Sequence, residues 1–210
     1  LRGLRRAHGT AQRAAKPLLR DDLLLVLDYL GGSLRDQRDK ALLLLGFAGG
    51  FRRSELVGLD HADIAPVRQG LGVTLRRSKT DQEGVGHKVG IPHGRTRHCP
   101  VTALEAWLSS AGLDHGPLFR PVSRHGHVGA NALTGDAVSV LIRERVAAAG
   151  IAPEGYAGHS LRAGFATSAA QAGVSTMKIR AQTGHASDAM LARYIREGDM
   201  FTENAAGAVL

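Results

Sequence analysis

Tyr194 is a candidate nucleophile for a phosphodiester, because two histidines and an arginine precede it in the chain. His185 comes nine residues before it, and His159 and Arg162 form a His-x-x-Arg motif further upstream. A phenol can attack phosphorus, an imidazole can move a proton, and a guanidinium can neutralise the non-bridging oxygens. These residue types and spacings indicate phosphodiester chemistry without a metal.

A second arginine for the phosphate is Arg52, in the stretch 50–56 of sequence Gly-Phe-Arg-Arg-Ser-Glu-Leu. Arginine suits this role because its planar fork donates two hydrogen bonds to phosphate oxygens and keeps its charge. Glu55 follows three residues later, so a helical turn would place it beside Arg52 as a holding group. A surface ion pair of little energetic value is the alternative. Arg53 points elsewhere at this spacing and is interpreted as structural.

The two histidines are expected to have different roles. His159 and Arg162 are three residues apart, so both should lie in the first turn of one helix, whose N-terminus favours an anion. A neutral histidine can accept the phenol proton, which a tyrosine of pKa about 10 otherwise keeps near pH 7. We assign that base role to His159, and to His185 a hydrogen bond to the transition-state phosphate. A capping or core position is the alternative for each.

Lys79 lies in a loop, residues 77–84, between two predicted strands. A lysine swung over the scissile phosphate can protonate the departing 5′ oxygen, which otherwise leaves as an alkoxide. An exposed lysine that only contacts phosphate is the alternative.

Two further tyrosines compete with Tyr194 as the nucleophile. Tyr29 falls on a predicted amphipathic helix, and we expect it in the core. Tyr156 falls in a loop just before His159 and is the reserve candidate.

The elements that must position these side chains are predicted to be mostly helical. Apolar periodicity and capping residues predict helices over residues 21–30, 36–48, from about 54, 100–111, 136–149, 159–172, 175–183 and 187–196. Strands are predicted over 71–76 and 86–91, joined by the loop that carries Lys79. Residues 112–133 are a predicted connection. The fold class is therefore α+β, mostly α with a small antiparallel β-sheet.

Charge and composition favour DNA as the partner. Basic residues outnumber acidic ones by 27 to 19, a formal net charge of +8, and a basic protein attracts an acidic polymer. The single cysteine, Cys99, excludes an internal disulfide and fits a reducing compartment. No apolar run approaches the ~18 residues of a membrane span, so we expect a cytoplasmic protein without a membrane partner.

Five short motifs with these chemistries follow one another in order: Gly-Phe-Arg52-Arg-Ser-Glu55-Leu, the Lys79 loop, His159-x-x-Arg162, Gly-His185 and Tyr194. This set resembles the tyrosine recombinases, the phage integrase family, across about residues 20–200. The resemblance implies that family's catalytic domain, a 3′-phosphotyrosyl intermediate, and its resolution by a 5′ hydroxyl of another strand. It also implies double-stranded DNA as the partner, with a homo-oligomer, a tetramer, on DNA and a monomer when free.

No cofactor and no metal is expected. Transesterification conserves the bond energy, so the resemblance implies no need for ATP or metal, and the chain has no GxxxxGK[ST] loop.

The resemblance also suggests a domain organisation. Residues 1–18 are basic and read as an interdomain linker, residues 19–198 as the catalytic domain, and residues 199–210 as a C-terminal tail. The chain begins with Leu1 and shows no signal-peptide pattern, so we expect a fragment of a longer protein with an upstream domain.

Two DNA-binding alternatives remain. A type IB topoisomerase would share this chemistry, although Gly-His185 and its short spacing to Tyr194 resemble bacterial and phage integrases more. A non-enzymatic helix-turn-helix protein would explain the spacing of Ala169, Gly173 and Ile179, but it leaves the arginines and Tyr194 unexplained.

A metal-dependent nuclease is a third alternative, and it would need clustered carboxylates. Asp60 and Asp63 flank a histidine but are expected near a helix end. His125 and His127 form a His-Gly-His pair without a companion cysteine or acid, so loop surface is the preferred interpretation.

Overall fold

A computed structural model describes residues 15–76, 87–185 and 187–199 of the chain. Its helices are α1 (Arg20–Asp28), α2 (Leu34–Gly49), α3 (Arg53–Val57), α4 (Pro100–Ala111), α5 (Gly135–Ala148), α6 (Ser160–Gln171), α7 (Thr176–Thr183) and α8 (Asp188–Asp199). Its strands are β1 (Ile64–Val67), β2 (Gly70–Leu75) and β3 (His87–Pro92), and a 3₁₀ turn at His61–Asp63 leads into β1. Within these ranges, the helices are too short or too polar to cross a membrane.

Helix ends fall where the sequence supplies capping residues. The Ser33 hydroxyl accepts a hydrogen bond from the Asp36 amide at the start of α2, and Gly50 ends that helix with a φ of 57°. Pro100 begins α4, and Gly112 ends it with a φ of 63°. These residues explain why the predicted limits of both helices are confirmed to within two residues.

Among the described residues, the sheet has three antiparallel strands in the order β1-β2-β3. Strands β2 and β3 pair from Gly70 opposite Pro92 to Leu75 opposite His87, as predicted for the hairpin. Strand β1 was not predicted. It is a largely exposed edge strand that contains Pro66, and a proline cannot donate to the ladder, so the run lacks the usual strand pattern.

In the part of the chain that the structure describes, the hydrophobic core consists of a large cluster and a small one. The large cluster includes the buried leucines of α2 and Trp107 of α4, whose indole N–H donates to the Leu118 carbonyl at 2.7 Å. The small cluster joins Ala166 and Ala170 of α6 to residues of α7 and α8, and Tyr194 packs against it. The tyrosine is therefore positioned by a small core separate from the main one.

The segment that enters α1 is packed against the loop that leads into α6. The Lys16 amide donates to the Gly155 carbonyl at 2.8 Å, and the Leu18 amide donates to the Ser160 carbonyl at 3.0 Å. Leu18 is fully buried. Residues 16–18, at the end of the predicted linker, thus help to fix the start of α6.

The prediction that Tyr29 belongs to the core is wrong. Helix α1 ends at Asp28 and buries Leu23, Val26 and Leu27, so Tyr29 directly follows the helix and its residue surface is 62% exposed.

Candidate active site

Arg52 precedes α3 and is held by Glu55. One carboxylate oxygen of Glu55 accepts from the Arg52 backbone amide at 2.7 Å, and the other accepts from Nη1 at 2.5 Å. Nη2 of Arg52 donates to the Gly184 carbonyl at 3.2 Å. The side chains of Arg52 and Glu55 are 19% and 4% exposed, so the surface ion-pair alternative is wrong. The guanidinium is fixed at both ends, as a preorganised phosphate donor needs.

Arg162 lies in the first turn of α6 and is almost completely buried. Its Nη1 donates to the Gly50 carbonyl at 2.7 Å and to the Thr183 carbonyl at 2.5 Å. Burial and the nearby Arg52 charge lower the pKa of Arg162 to about 10, against the opposing effects of Glu55 and Tyr194. The guanidinium remains charged at pH 7, and the effect of the Arg52 charge on Arg162 indicates that the two arginines lie in one site.

His159 is the residue immediately before α6 and is more exposed than the arginines. Partial burial lowers its pKa, and the charges of Arg162, Arg53 and Arg52 lower it further, while Glu55 raises it. His159 is therefore neutral at pH 7 and able to accept a proton.

His185 lies just beyond α7 and is only 7% exposed. Its Nδ1 is 2.6 Å from the hydroxyl of Thr183. Burial and the charges of Arg162 and Arg52 lower the pKa of His185 to about 4. This imidazole is neutral at pH 7, and it lies beside the guanidinium pair.

Tyr194 on α8 is half-buried and faces His185. The two ring centroids are 6.1 Å apart, with the rings tilted by 51°, and Tyr194 is among the groups whose charge acts on the pKa of Arg162. Tyr156 is instead buried in the core, where its hydroxyl has no hydrogen-bond partner among the described residues. Of the three tyrosines, Tyr194 is the one that lies beside the arginines.

The fold thus brings together five of the predicted site residues, with Glu55 in support. These are Arg52, His159, Arg162, His185 and Tyr194. Lys79, the sixth, lies outside the described residues, although the strands on either side of its loop are paired. Arg53 ion-pairs with Asp136 at 3.1 Å and contacts the Ser139 hydroxyl at 3.3 Å, in keeping with a structural role.

The predictions did not include Thr183. Its side chain contacts His185 and its carbonyl accepts from Arg162, so it touches two site residues. The available signal was a hydroxyl two residues before a histidine, at the end of a predicted helix. That signal is weak, because threonine is common at such positions for capping alone.

Residues that supported the alternative interpretations have structural partners. Ile179 is buried in the small core cluster, against which Ala169 packs. An oxygen of Asp60 accepts from the Ala62 amide, and Asp63 accepts from the Asp60 amide and pairs with Arg76. Among the described residues, no three histidine, cysteine, aspartate or glutamate side chains are grouped to hold a metal.

Helices and a small antiparallel sheet bring together two guanidiniums and two neutral imidazoles, one of which faces Tyr194. This combination is expected of an enzyme that cleaves phosphodiesters through a tyrosine. The chain belongs to the phage integrase family, whose sequence profile matches residues 18–199. It is 42% identical over 204 residues to an integrase/recombinase XerD homolog of Selenomonas ruminantium, covering 96% of this chain and 60% of that protein. It is 32% identical over 186 residues to tyrosine recombinase XerD of Mycobacterium leprae, covering 84% and 55%.

Solved structures show the same fold. The XerH site-specific recombinase in a post-cleavage complex has a TM-score of 0.73 at 20% identity, over 95% of this chain and 55% of that one. A lambda integrase dimer bound to a core site has a TM-score of 0.66 at 20% identity, over 96% and 53%. The fold is that of a tyrosine recombinase catalytic domain. The chain spans about 60% or less of the length of these relatives.

Proposed function

We propose that this chain is the catalytic part of a site-specific DNA recombinase that cleaves and rejoins strands through a 3′-phosphotyrosyl intermediate. The observation that carries the proposal is the convergence of Arg52, Arg162 and His185 near Tyr194, from segments far apart in sequence. Family membership and a net charge of +8 support double-stranded DNA as the substrate. The proposal includes a cytoplasmic location, in keeping with a DNA substrate.

The arginines bind the scissile phosphate and stabilise its transition state. Arg52 and Arg162 both donate hydrogen bonds to backbone carbonyls, and Arg52 also donates to Glu55. Those bonds hold the guanidiniums before DNA arrives, so little reorganisation is needed as charge develops on the non-bridging oxygens. Two fixed positive charges also lower the cost of bringing an anionic phosphate next to a phenolate.

Tyr194 attacks phosphorus, and a neutral imidazole takes the phenol proton. Both His159 and His185 have lowered pKa values, owing first to burial and then to the arginines, so each reaches the reaction unprotonated at pH 7. Lys79 then protonates the leaving 5′ oxygen. Reversal of these steps with a 5′ hydroxyl from another strand rejoins the DNA.

We also propose a domain organisation and an oligomeric state for the chain. Residues 19–198 form the catalytic domain, preceded by a linker over 1–18 and followed by a tail over 199–210. Solved structures of the same fold include a lambda integrase tetramer bound to a Holliday junction, and we extend this assembly to the present chain, with a tetramer on DNA and a monomer when free.

The test is covalent capture on a suicide substrate. The substrate is a pool of nicked duplexes with randomised sequence. After attack, the short fragment that carries the freed 5′ hydroxyl dissociates, so the adduct cannot religate. The protein is expected to form a covalent adduct in excess chelator. Cleavage that needs magnesium and leaves no adduct would instead indicate a metal-dependent nuclease, and sequence-specific binding without cleavage would indicate a helix-turn-helix protein.

A further inference from the structure

The hydroxyl of Thr183 lies between two buried polar atoms. Its Oγ1 is 2.7 Å from the carbonyl oxygen of Ile179, one turn earlier in α7, and 2.6 Å from Nδ1 of His185. Thr183 and His185 are both buried. Each of these short contacts therefore needs a hydrogen atom, because two facing lone pairs at such distances repel each other.

Counting hydrogens assigns a direction to both bonds. A carbonyl only accepts, and a hydroxyl has one hydrogen to give. If the Thr183 hydroxyl donated to His185, its oxygen would face the Ile179 carbonyl at 2.7 Å with no hydrogen between them. The hydroxyl therefore donates to Ile179 and accepts from Nδ1–H of His185. A neutral imidazole has one N–H, so its Nε2 carries a lone pair.

We infer that Thr183 is a positioning residue: it keeps the hydrogen of His185 on Nδ1, so that Nε2 enters the reaction as a proton acceptor. This inference rests on the proposed function and deepens it. It also changes the role expected for His185, since an unprotonated Nε2 cannot donate to a phosphate oxygen at the start of the reaction.

The cleavage step balances with this assignment. The Tyr194 oxygen forms a bond to phosphorus as its proton moves to Nε2 of His185, and the bond from phosphorus to the 5′ oxygen breaks. The 5′ oxygen leaves with a proton from Lys79. His185 is then an imidazolium, and its new Nε2–H can donate to a phosphate oxygen. A phosphate between the two arginines brings a negative charge that favours this protonation.

The main chain around His185 is held independently of the Thr183 hydroxyl. Three consecutive carbonyls accept from three arginines: Thr183 from Arg162, Gly184 from Arg52 and His185 from Arg180. Thr183→Val keeps the shape of the side chain and leaves these bonds in place. The variant therefore tests the tautomer rather than the position of the loop.

Long-range proton–nitrogen NMR spectra of the protein labelled with ¹⁵N-histidine test the assignment directly. His185→Gln identifies the His185 signals. The wild type and Thr183→Ser are expected to show the Nδ1–H form, and Thr183→Val is expected to shift toward the Nε2–H form that a free imidazole prefers in water. An Nε2–H form in the wild type, or an unchanged tautomer in Thr183→Val, would overturn the inference.

Suicide-substrate capture supplies the second readout. Adduct formation by Thr183→Val is expected to be roughly tenfold slower, within the ~10²–10⁴-fold that a general base contributes, and Thr183→Ser should restore most of the rate. Equal rates in the wild type and Thr183→Val would contradict the positioning role. If the wild type shows the Nδ1–H form but forms no adduct on any substrate, the proposed function fails while the tautomer assignment stands.

Discussion

Arg162 donates to the carbonyl oxygen of Gly50 at 2.7 Å, across 112 residues of sequence. Gly50 ends α2 with a left-handed φ of 57°, and the Phe51–Arg52 segment follows directly. The bond therefore ties the second arginine of the candidate site to the backbone turn that presents the first. A change in this turn should move both guanidiniums.

Gly50→Ala should lower stability more than Gly112→Ala. Both glycines have a left-handed φ, which costs an alanine about 1 kcal/mol or somewhat more. A Cβ at Gly50 would lie 2.8 Å from Cγ2 of Thr183, whereas one at Gly112 would meet no atom within 4 Å. Crowding adds about 1–3 kcal/mol to the first variant alone. Urea unfolding measures the difference, and equal losses would show that the Thr183 contact is not tight.

Arg52→Ala and Arg162→Ala should each slow adduct formation by roughly 10²-fold or more, the usual cost of losing one preorganised transition-state donor. Non-specific DNA affinity should change little, because each arginine is one of many positive charges. Arg53→Ala is the matched control, since its ion pair with Asp136 is largely exposed and worth little. Rates are measured by single-turnover capture. Normal cleavage by both site variants would refute their assignment.

Histidine burial makes stability depend on pH. The folded pKa of His185 is about 4, against about 6.5 for the free side chain, so the unfolded state takes up a proton first as the pH falls. Stability should be complete above about pH 6.5 and decline toward pH 4, by up to about 3 kcal/mol from this group. The lowered pKa of His159, caused first by burial, acts in the same direction.

Urea unfolding of the wild type and His185→Gln at several pH values between 7.5 and 4.5 measures this effect. The glutamine cannot titrate, so the variant should lose less stability on acidification. Parallel losses in the two proteins would show that His185 takes up its proton equally well when folded.

The sequence could predict most of the site because each chemical group has its own local signal. His159 and Arg162 are three residues apart and reach the same site from the start of one helix, and Arg52 meets Glu55 by the same spacing. Thr183 could not be recognised in this way. Its role depends on the Ile179 carbonyl and His185 Nδ1 lying on either side of one hydroxyl, and this arrangement requires the end of α7.

Strand β1 and the position of Tyr29 could not be predicted from local sequence either. Strand β1 gains its stability by pairing with β2, so its own sequence, with Pro66, carries little strand signal. Tyr29 fitted a predicted helix over 21–30, but α1 ends at Asp28, two residues before the predicted end, and Tyr29 follows it as an exposed residue. For β1, tertiary pairing outweighs local propensity.

Lys79→Ala should still form the covalent adduct, but slowly. Attack by Tyr194 needs no lysine, and only the proton for the 5′ leaving oxygen would be missing. In a substrate with sulfur in place of that bridging oxygen, the 5′ thiolate leaves without needing a proton. This substrate should therefore restore much of the rate. The measurement compares the rates of adduct formation by Lys79→Ala on the oxygen and sulfur substrates. If sulfur gives no rescue, Lys79 is only a phosphate contact.

The central claim is that Tyr194 becomes covalently linked to DNA, and mapping of the linked residue tests it most directly. The adduct trapped on the suicide substrate in excess chelator is digested with protease, and the DNA-bearing peptide is sequenced by mass spectrometry. We expect linkage at Tyr194, no adduct from Tyr194→Phe on oxygen or sulfur substrates, and a normal adduct from Tyr156→Phe, whose ring lies in the core. An adduct that persists in Tyr194→Phe, or a linkage mapped to another residue, would show that Tyr194 is not the nucleophile.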